Sequence, residues 1–233
     1  MPEYREEIDK FGFATTPQFI GERQIKKLIE CLSELDKLPS KKNGTAYGVR
    51  NLLNLSPEIR KLAESRKVKS LVGKVLGRNA KPVRAIFFDK TAQANWKVPW
   101  HQDLTIAVKK KRETEGFTAW TRKADVPHVQ PPISILEKIL AVRIHLDDTD
   151  ETNGALKVLS NSHKFGRLSA LDIQSLRKTN RIEICSVKRG EAFLMRPLVV
   201  HSSSAGTSLS HRRVIHIEFS AESLPNALEW YGS

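Results

Sequence analysis

Four residues of this 233-residue chain have the types and the spacing of a redox metal site. His101 and Asp103 flank Gln102, His201 follows a hundred residues later, and Arg212 stands eleven residues beyond it. Two neutral imidazoles and one ionised carboxylate can occupy one face of an octahedral Fe(II), leaving three positions for other ligands. A bidentate keto acid and dioxygen suit that open face. Guanidinium grips carboxylate through two parallel hydrogen bonds, so Arg212 is suited to hold the far end of such a keto acid. A tetrahedral zinc site fits less well, because neither Cys31 nor Cys185 falls near these histidines. An HxD pair alone arises often by chance. The ordered set of HxD, a distant histidine and a following arginine is far more specific.

Such a set needs strands to carry it. Side chains alternate along a strand, so His101 and Asp103 point the same way from one extended segment, and His201 must come from a second strand folded back beside it. Short runs rich in branched and aromatic residues begin at Val83, and 83–88, 98–104, 140–146, 155–159, 182–187, 191–195, 198–202 and 212–219 read as strands. Before them, Ile25, Leu28, Ile29, Leu32 and Leu35 recur at helical spacing, which predicts an amphipathic helix over 22–37. Residues 37–48 read as a loop. Ser56-Pro57 is a helix N-cap followed by proline at the first helical position, and helical pattern continues in two pieces to Gly77. Eight strands after a helical start predict a mainly β fold with flanking helices. The expected form is a double-stranded β-helix, a cupin-like jelly-roll, with the N-terminal helices packed on one sheet. The expected layout is a single domain over 1–233, with the helical part at about 1–80 and the jelly-roll core at about 81–220. The stretch 105–138, with a short helix near 134–139, is too long for a turn and reads as a lid-like insertion.

Composition sets limits on function. No run of eighteen apolar residues occurs, so no membrane span is expected. Residues 1–7 are polar and acidic, without a signal-peptide core, and the two cysteines read as reduced thiols; both point to a cytoplasmic protein. The net charge of +13 raises nucleic acid as a partner. Basic residues are dispersed, however, and the one compact run, Lys109-Lys110-Lys111-Arg112, lacks an aromatic pair for base stacking. Specific nucleic-acid binding is therefore not expected, and a small molecule is the expected partner.

Several stretches resemble one known family. They are Val98-Pro99-Trp100-His101-Gln102-Asp103-Leu104, Arg143-Ile144-His145-Leu146-Asp147-Asp148, Asn153-Gly154-Ala155-Leu156, Ser162-His163-Lys164, Arg196-Pro197 through His201, and Arg212-Arg213-Val214-Ile215-His216-Ile217-Glu218-Phe219. In this order, over about three-fifths of the chain, they resemble the phytanoyl-CoA dioxygenase family of Fe(II)/2-oxoglutarate oxygenases. The resemblance implies His101, Asp103 and His201 as the catalytic iron ligands, and Arg212 rather than Arg213 as the 2-oxoglutarate clamp. It also implies a reaction in which 2-oxoglutarate and dioxygen become succinate and CO2 while a substrate C–H bond is hydroxylated. Related halogenases lack the carboxylate ligand, so Asp103 argues against halogenation. The alternative is a jelly-roll module that binds a metal or ligand without turnover.

The remaining candidates lie around this set. Ser203, two residues after His201 on the same strand face, either adds a hydrogen bond to the co-substrate or bonds backbone. Arg143 faces the interior if Val142, Ile144 and Leu146 face the helices; its anion is then co-substrate, substrate or a structural carboxylate such as Glu218. Trp100, His128 and Gln130 are assigned to the substrate pocket, the last two from a proline-flanked loop. Arg50 either reaches that pocket from the helical part or lies in solvent. Gln102 either joins that pocket or, alternating away from the metal, is structural; His145 and His163 read as structural.

Overall fold

The computed structural model describes residues 4–36, 48–207 and 211–233. The chain begins with α1 (Tyr4–Phe11), β1 (Phe13–Thr16) and α2 (Glu22–Asp36). Three helices follow, α3 (Leu52–Leu55), α4 (Pro57–Ala63) and α5 (Arg66–Leu76). Ser56 caps α4 by accepting from the Ile59 amide at 3.2 Å, and Gly77 ends α5, as their residue types require. The expected loop at 37–47 lies outside the described residues.

All eight expected strands form: β2 (Lys81–Lys90), β3 (Val98–His101), β7 (Ile139–His145), β8 (Leu156–Leu159), β9 (Ile182–Cys185), β10 (Ala192–Met195), β11 (His201–Ser203) and β12 (Arg212–Ser220). They build two antiparallel sheets, ordered β1-β10-β7-β12-β2 and β3-β11-β8-β9. This is the expected jelly-roll. Residues 105–138 fold as a small third sheet, β4 (Ile106–Ala107), β5 (Thr118–Lys123) and β6 (Val126–Gln130), followed by α6 (Ile133–Leu136). Two strand limits differ from expectation in a way that bears on the site. Strand β3 stops at His101, so Asp103 sits in the turn beyond it, and β11 begins only at His201. Helix α7 (Ala170–Thr179) has no counterpart in the periodicity; its start is a capping box between Ser169 and Asp172.

Alternation along the large sheet sorts its two faces. Ala85 and Phe87, Leu140, Val142 and Ile144, Leu194, and Ile215 and Ile217 form one buried cluster with Ile25, Leu28 and Leu32 of α2 and with α4 and α5. The helices therefore cover the outer face, and the intervening residues point between the sheets. There Ala141, Phe193 and Met195 meet Leu156, Val158 and Cys185 of the small sheet. That inner face also carries Arg84, Lys90, Arg143, His145, Arg212, His216 and Glu218, an unusual polar load for a barrel interior. No helix among the described residues is long and apolar enough to cross a membrane. Cys31 and Cys185 are both free thiols.

Leu32 is 1% exposed under the large sheet, whereas Leu171 on α7 is 74% exposed. Leu32→Ala should lower the unfolding free energy by about 2–5 kcal/mol. Leu171→Ala should stay within about 0.5 kcal/mol of wild type. Urea unfolding checks both; a tolerated Leu32→Ala would mean that the helices do not depend on this face.

Candidate active site

The pairing of β11 with β3 sets His201 directly opposite His101. Their rings lie 4.2 Å apart between centroids. Asp103 completes the group: one carboxylate oxygen is 3.8 Å from His101 Nε2 and the other 3.7 Å from His201 Nε2. The amide of Asp103 donates to the Pro197 carbonyl at 2.9 Å, which holds the turn beyond β3 in place. Each imidazole is fixed by the same local device. His101 Nδ1 donates to Pro99 O and His201 Nδ1 to Val199 O, both at 2.9 Å. A carbonyl can only accept, so the proton belongs on Nδ1 and the Nε2 lone pairs face Asp103. Burial pushes His201 down to about 4, partly offset by Asp103, so it stays neutral at neutral pH. Burial opposes ionisation of Asp103, but His201, His101, His216 and Arg84 outweigh it and hold the carboxyl well below its usual range. Two neutral Nε2 atoms and one anionic oxygen within 4.8 Å of one another form a donor set that suits Fe(II).

Asp103, His216 and Glu218 also lie within 4.8 Å of one another. There His216 has no free nitrogen: Nδ1 accepts from Arg143 at 3.1 Å and Nε2 donates to Glu218 at 3.2 Å. Glu218 is bonded to Arg84 as well. This second set is a structural network, not a competing metal site.

Beside the ligands lies a buried cationic group. Arg212 donates to the Gly154 carbonyl at 2.6 Å. Ser203 Oγ donates to the same carbonyl at 2.8 Å and accepts from Lys90 Nζ at 2.6 Å. Arg143 stacks over Phe88, 5.5 Å from its ring centre. Among the described residues, none of Lys90, Arg143 and Arg212 has a carboxylate partner, and Nε of both arginines is buried without a hydrogen bond. Burial and the two arginines push Lys90 down to about 7, while burial and Arg143 push Arg212 down to about 9. Buried cations held only by neutral partners are a costly arrangement that a bound dianion would relieve. The residues present therefore fit 2-oxoglutarate. Arg213, by contrast, forms a bidentate pair with Asp147 on the other face, at 2.8 and 2.7 Å. That leaves Arg212 as the free guanidinium.

The other expected residues divide. Trp100 alternates away from His101, packs with Leu159, Ile173 and Val200, and lies under Arg177 of α7. Its assignment to the substrate pocket is corrected: it is part of the outer packing. His128 and Gln130 share the face of β6 that carries Val126, opposite Val129 in the core, and His128 is buried. Arg50 is half-buried and electrostatically coupled to Arg84 and Asp103, so it is not simply in solvent. Gln102 takes the structural alternative, donating to Gly166 O and Leu198 O and accepting from the Leu168 amide. Arg143 reaches Glu218 only through His216. Lys90, Arg84, Lys123 and His216 were not singled out from the sequence. Charged residues of the same parity on β2, Arg84 and Lys90 on either side of Ile86 and Phe88, were the signal available for two of them.

Acid should destabilise the metal-free protein. Burial pushes His128, like His201, down to about 4, while an unfolded histidine takes its proton near about 6.5. Between those values the unfolded chain binds more protons, so stability falls as pH drops, by at most about 1.4 kcal/mol per pH unit for each histidine. Asp103, with its lowered value, loses its contribution only in stronger acid. Urea midpoints at pH 7 and pH 5 should show the fall, and His128→Gln should lessen it; an unchanged pH dependence in that variant would contradict the assignment.

Known proteins bear on this geometry. No curated protein matches the chain significantly in sequence. The crystal structure of AviO1 from Streptomyces viridochromogenes Tue57 is 22% identical, with a TM-score of 0.69 and 96% of each chain covered. That of the non-heme alpha-ketoglutarate-dependent carbocyclase SnoK from nogalamycin biosynthesis is 14% identical, with a TM-score of 0.71, covering 94% of this chain and 83% of SnoK. EctD from S. alaskensis, crystallised with 2-oxoglutarate and 5-hydroxyectoine, is 14% identical, with a TM-score of 0.71, covering 93% of this chain and 74% of EctD. At these identities the likeness establishes the fold. The family model for phytanoyl-CoA dioxygenase matches residues 8–214, nearly the whole length that carries the two sheets and every ligand candidate. The chain belongs to the phytanoyl-CoA dioxygenase family and is an Fe(II)- and 2-oxoglutarate-dependent oxygenase.

Proposed function

We propose that this oxygenase hydroxylates a small polar or anionic metabolite. One 2-oxoglutarate and one dioxygen would be consumed and one succinate and one CO2 released, with one oxygen atom entering a substrate C–H bond. The observation that carries the reading is the junction of two groups: the three-donor set on β3 and β11, and the unpaired cations Arg212, Lys90 and Arg143 beside it.

His101, Asp103 and His201 would hold the iron, which when bound with dioxygen supplies the oxidising chemistry. The chain's own residues do the rest. Pro99 and Val199 carbonyls fix both imidazoles so that Nε2 needs no reorientation to bind. Arg212 and Lys90 would exchange their carbonyl partners for the distal carboxylate of 2-oxoglutarate, with Ser203 adding a hydroxyl. Gly154 makes this close approach possible. Its φ is +81°, and a Cβ there would lie 2.9 Å from Lys90 Nζ and 2.5 Å from Ser204 O. Substrate would enter from the opposite side, because His101 and Asp103 are part-exposed whereas His201 is buried. His128, Gln130 and Arg50 are the side chains proposed to receive it, with the small sheet of residues 105–138 as the cover.

Loss of a bidentate charge-assisted contact should cost about 2–4 kcal/mol, or about 30- to 1,000-fold in co-substrate affinity. Arg212→Ala should therefore raise the 2-oxoglutarate needed for succinate release by that factor while Fe(II) binding persists. Gly154→Ala should act in the same direction without removing a polar group, and Arg213→Ala should mainly lower stability. Succinate release measured against 2-oxoglutarate concentration decides it. A larger effect from Arg213→Ala would place the co-substrate elsewhere.

A further inference from the structure

On the substrate side of the ligands, three more cations converge from three separate elements. Arg84, on the inner face of β2, is half-buried; it is bonded to Glu218 and donates to the Thr105 carbonyl at 3.1 Å, and its Nε has no partner. Lys123, at the end of β5, reaches the hydroxyl of the same Thr105 at 3.3 Å. Thr105 is two residues beyond Asp103, so both cations stand next to the metal ligands. Arg50 arrives from a third direction, on a segment pinned through backbone on one side and through a side chain on the other. Val49 pairs with Phe87 of β2, at 3.0 and 2.9 Å, and Asn51 donates to the Ala124 carbonyl, next to Lys123, at 3.3 Å. Asn51 has φ 62°, a left-handed turn at the second anchor. The Arg50 guanidinium itself has no hydrogen-bond or ion-pair partner among the described residues.

The charges are unbalanced. Arg84 disfavours the charge of Arg50, and both disfavour that of Lys123, beyond the effect of burial, whereas Glu218 and Asp103 outweigh burial at Arg84 itself. The same three cations, after burial, help keep the adjacent His128 neutral. Among the described residues, two carboxylates act on all three, Asp103 and Glu218. Asp103 is committed to the metal, and Glu218 is shared between Arg84 and His216. Sequence-adjacent cations on a surface need no explanation; three that converge half-buried from distant segments, against one shared carboxylate, do.

We infer that Arg50, Arg84 and Lys123 form a subsite for a tetrahedral oxyanion of the substrate, a phosphate monoester group. This rests on the oxygenase reading above and names the substrate class for it. Shape favours phosphate over carboxylate: a planar carboxylate offers two oxygens to one or two partners, whereas a phosphate monoester offers three, matching three cations that approach from a strand, a hairpin and a loop. His128, neutral and bonded through Nδ1 to Val126 O at 3.0 Å, leaves Nε2 as an acceptor for the ester's neighbouring hydroxyls or amines.

The test is anaerobic calorimetric titration of the Fe(II)- and 2-oxoglutarate-loaded protein with phenyl phosphate, with benzoate as the planar control. Phenyl phosphate should bind at least about tenfold more tightly than benzoate. Arg50→Gln and Lys123→Gln should each weaken it about tenfold or more while Fe(II) affinity is retained, and Lys123→Arg should restore most of the loss. Arg212→Ala should impair 2-oxoglutarate and leave phenyl phosphate binding in place. Equal binding of benzoate, unchanged binding in both Gln variants, or displacement of phenyl phosphate by excess 2-oxoglutarate would overturn the subsite. If wild type bound phenyl phosphate as expected but neither bound nor turned over 2-oxoglutarate, the subsite would stand and the oxygenase reading would fail.

Discussion

The cross-strand pair between His101 and His201 is the contact on which the site depends. It exists because β11 pairs on one side with β3 and on the other with β8. A slip of one residue in either register would turn His201 toward the outer packing and replace it inside by Ser202. The segment 197–200 before β11 prevents that slip. Its Pro197 carbonyl holds the Asp103 amide, its Leu198 carbonyl holds Gln102, and the Val200 amide donates to Ser162 Oγ at 2.8 Å. Position of the donors and register of the small sheet are thus one property.

The same sheet architecture decides how charge is distributed. Outer-face residues of the large sheet are consumed by the helices, so every polar residue of alternate parity on β2, β7 and β12 is committed to the interior. The result is two cationic regions on either side of the Arg143–His216–Glu218–Arg84 chain. One contains Lys90 and Arg212, next to Ser203; the other contains Arg84, Lys123 and Arg50. Glu218 supplies the negative charge that keeps this chain of contacts in register: burial resists its ionisation, and Arg84 and His216 outweigh that resistance. In the proposed reading, co-substrate and an anionic substrate would occupy these two regions. The large positive charge of the protein is thereby partly internal. On the surface, Lys109 and Lys111 of the basic run are paired with Glu229 and Glu113 at 2.8 and 2.9 Å.

Much of this was legible in the sequence because it follows from short-range rules. Short runs of branched and aromatic residues located eight strands, the Ser56-Pro57 and Gly77 signals bounded helices, and HxD with a distant histidine located the donors. The choice of Arg212 over Arg213 needed family register, and the structure adds its reason, since Asp147 occupies Arg213. What was not legible depended on chain segments distant in sequence. Trp100 reads as a pocket residue until α7 is seen to cover it, and α7 lacks a clear apolar stripe, burying only Ile173 fully. Lys90 reads as a strand-end lysine until Gly154 and Ser203 are brought against it. Arg50 reads as solvent-exposed until Val49 pairs with Phe87 and Asn51 reaches Ala124.

The central claim, that one set of donors and one arginine together hold Fe(II) and 2-oxoglutarate, is tested most directly by anaerobic absorption spectroscopy. Chelation of Fe(II) by a keto acid produces a visible charge-transfer band that neither component has alone. The account predicts that this band develops in wild type only when both are added, saturates at one Fe(II) per chain, and is absent in His201→Ala. A wild-type protein that binds Fe(II) and 2-oxoglutarate without the band, or a His201→Ala protein that retains it, would contradict the account.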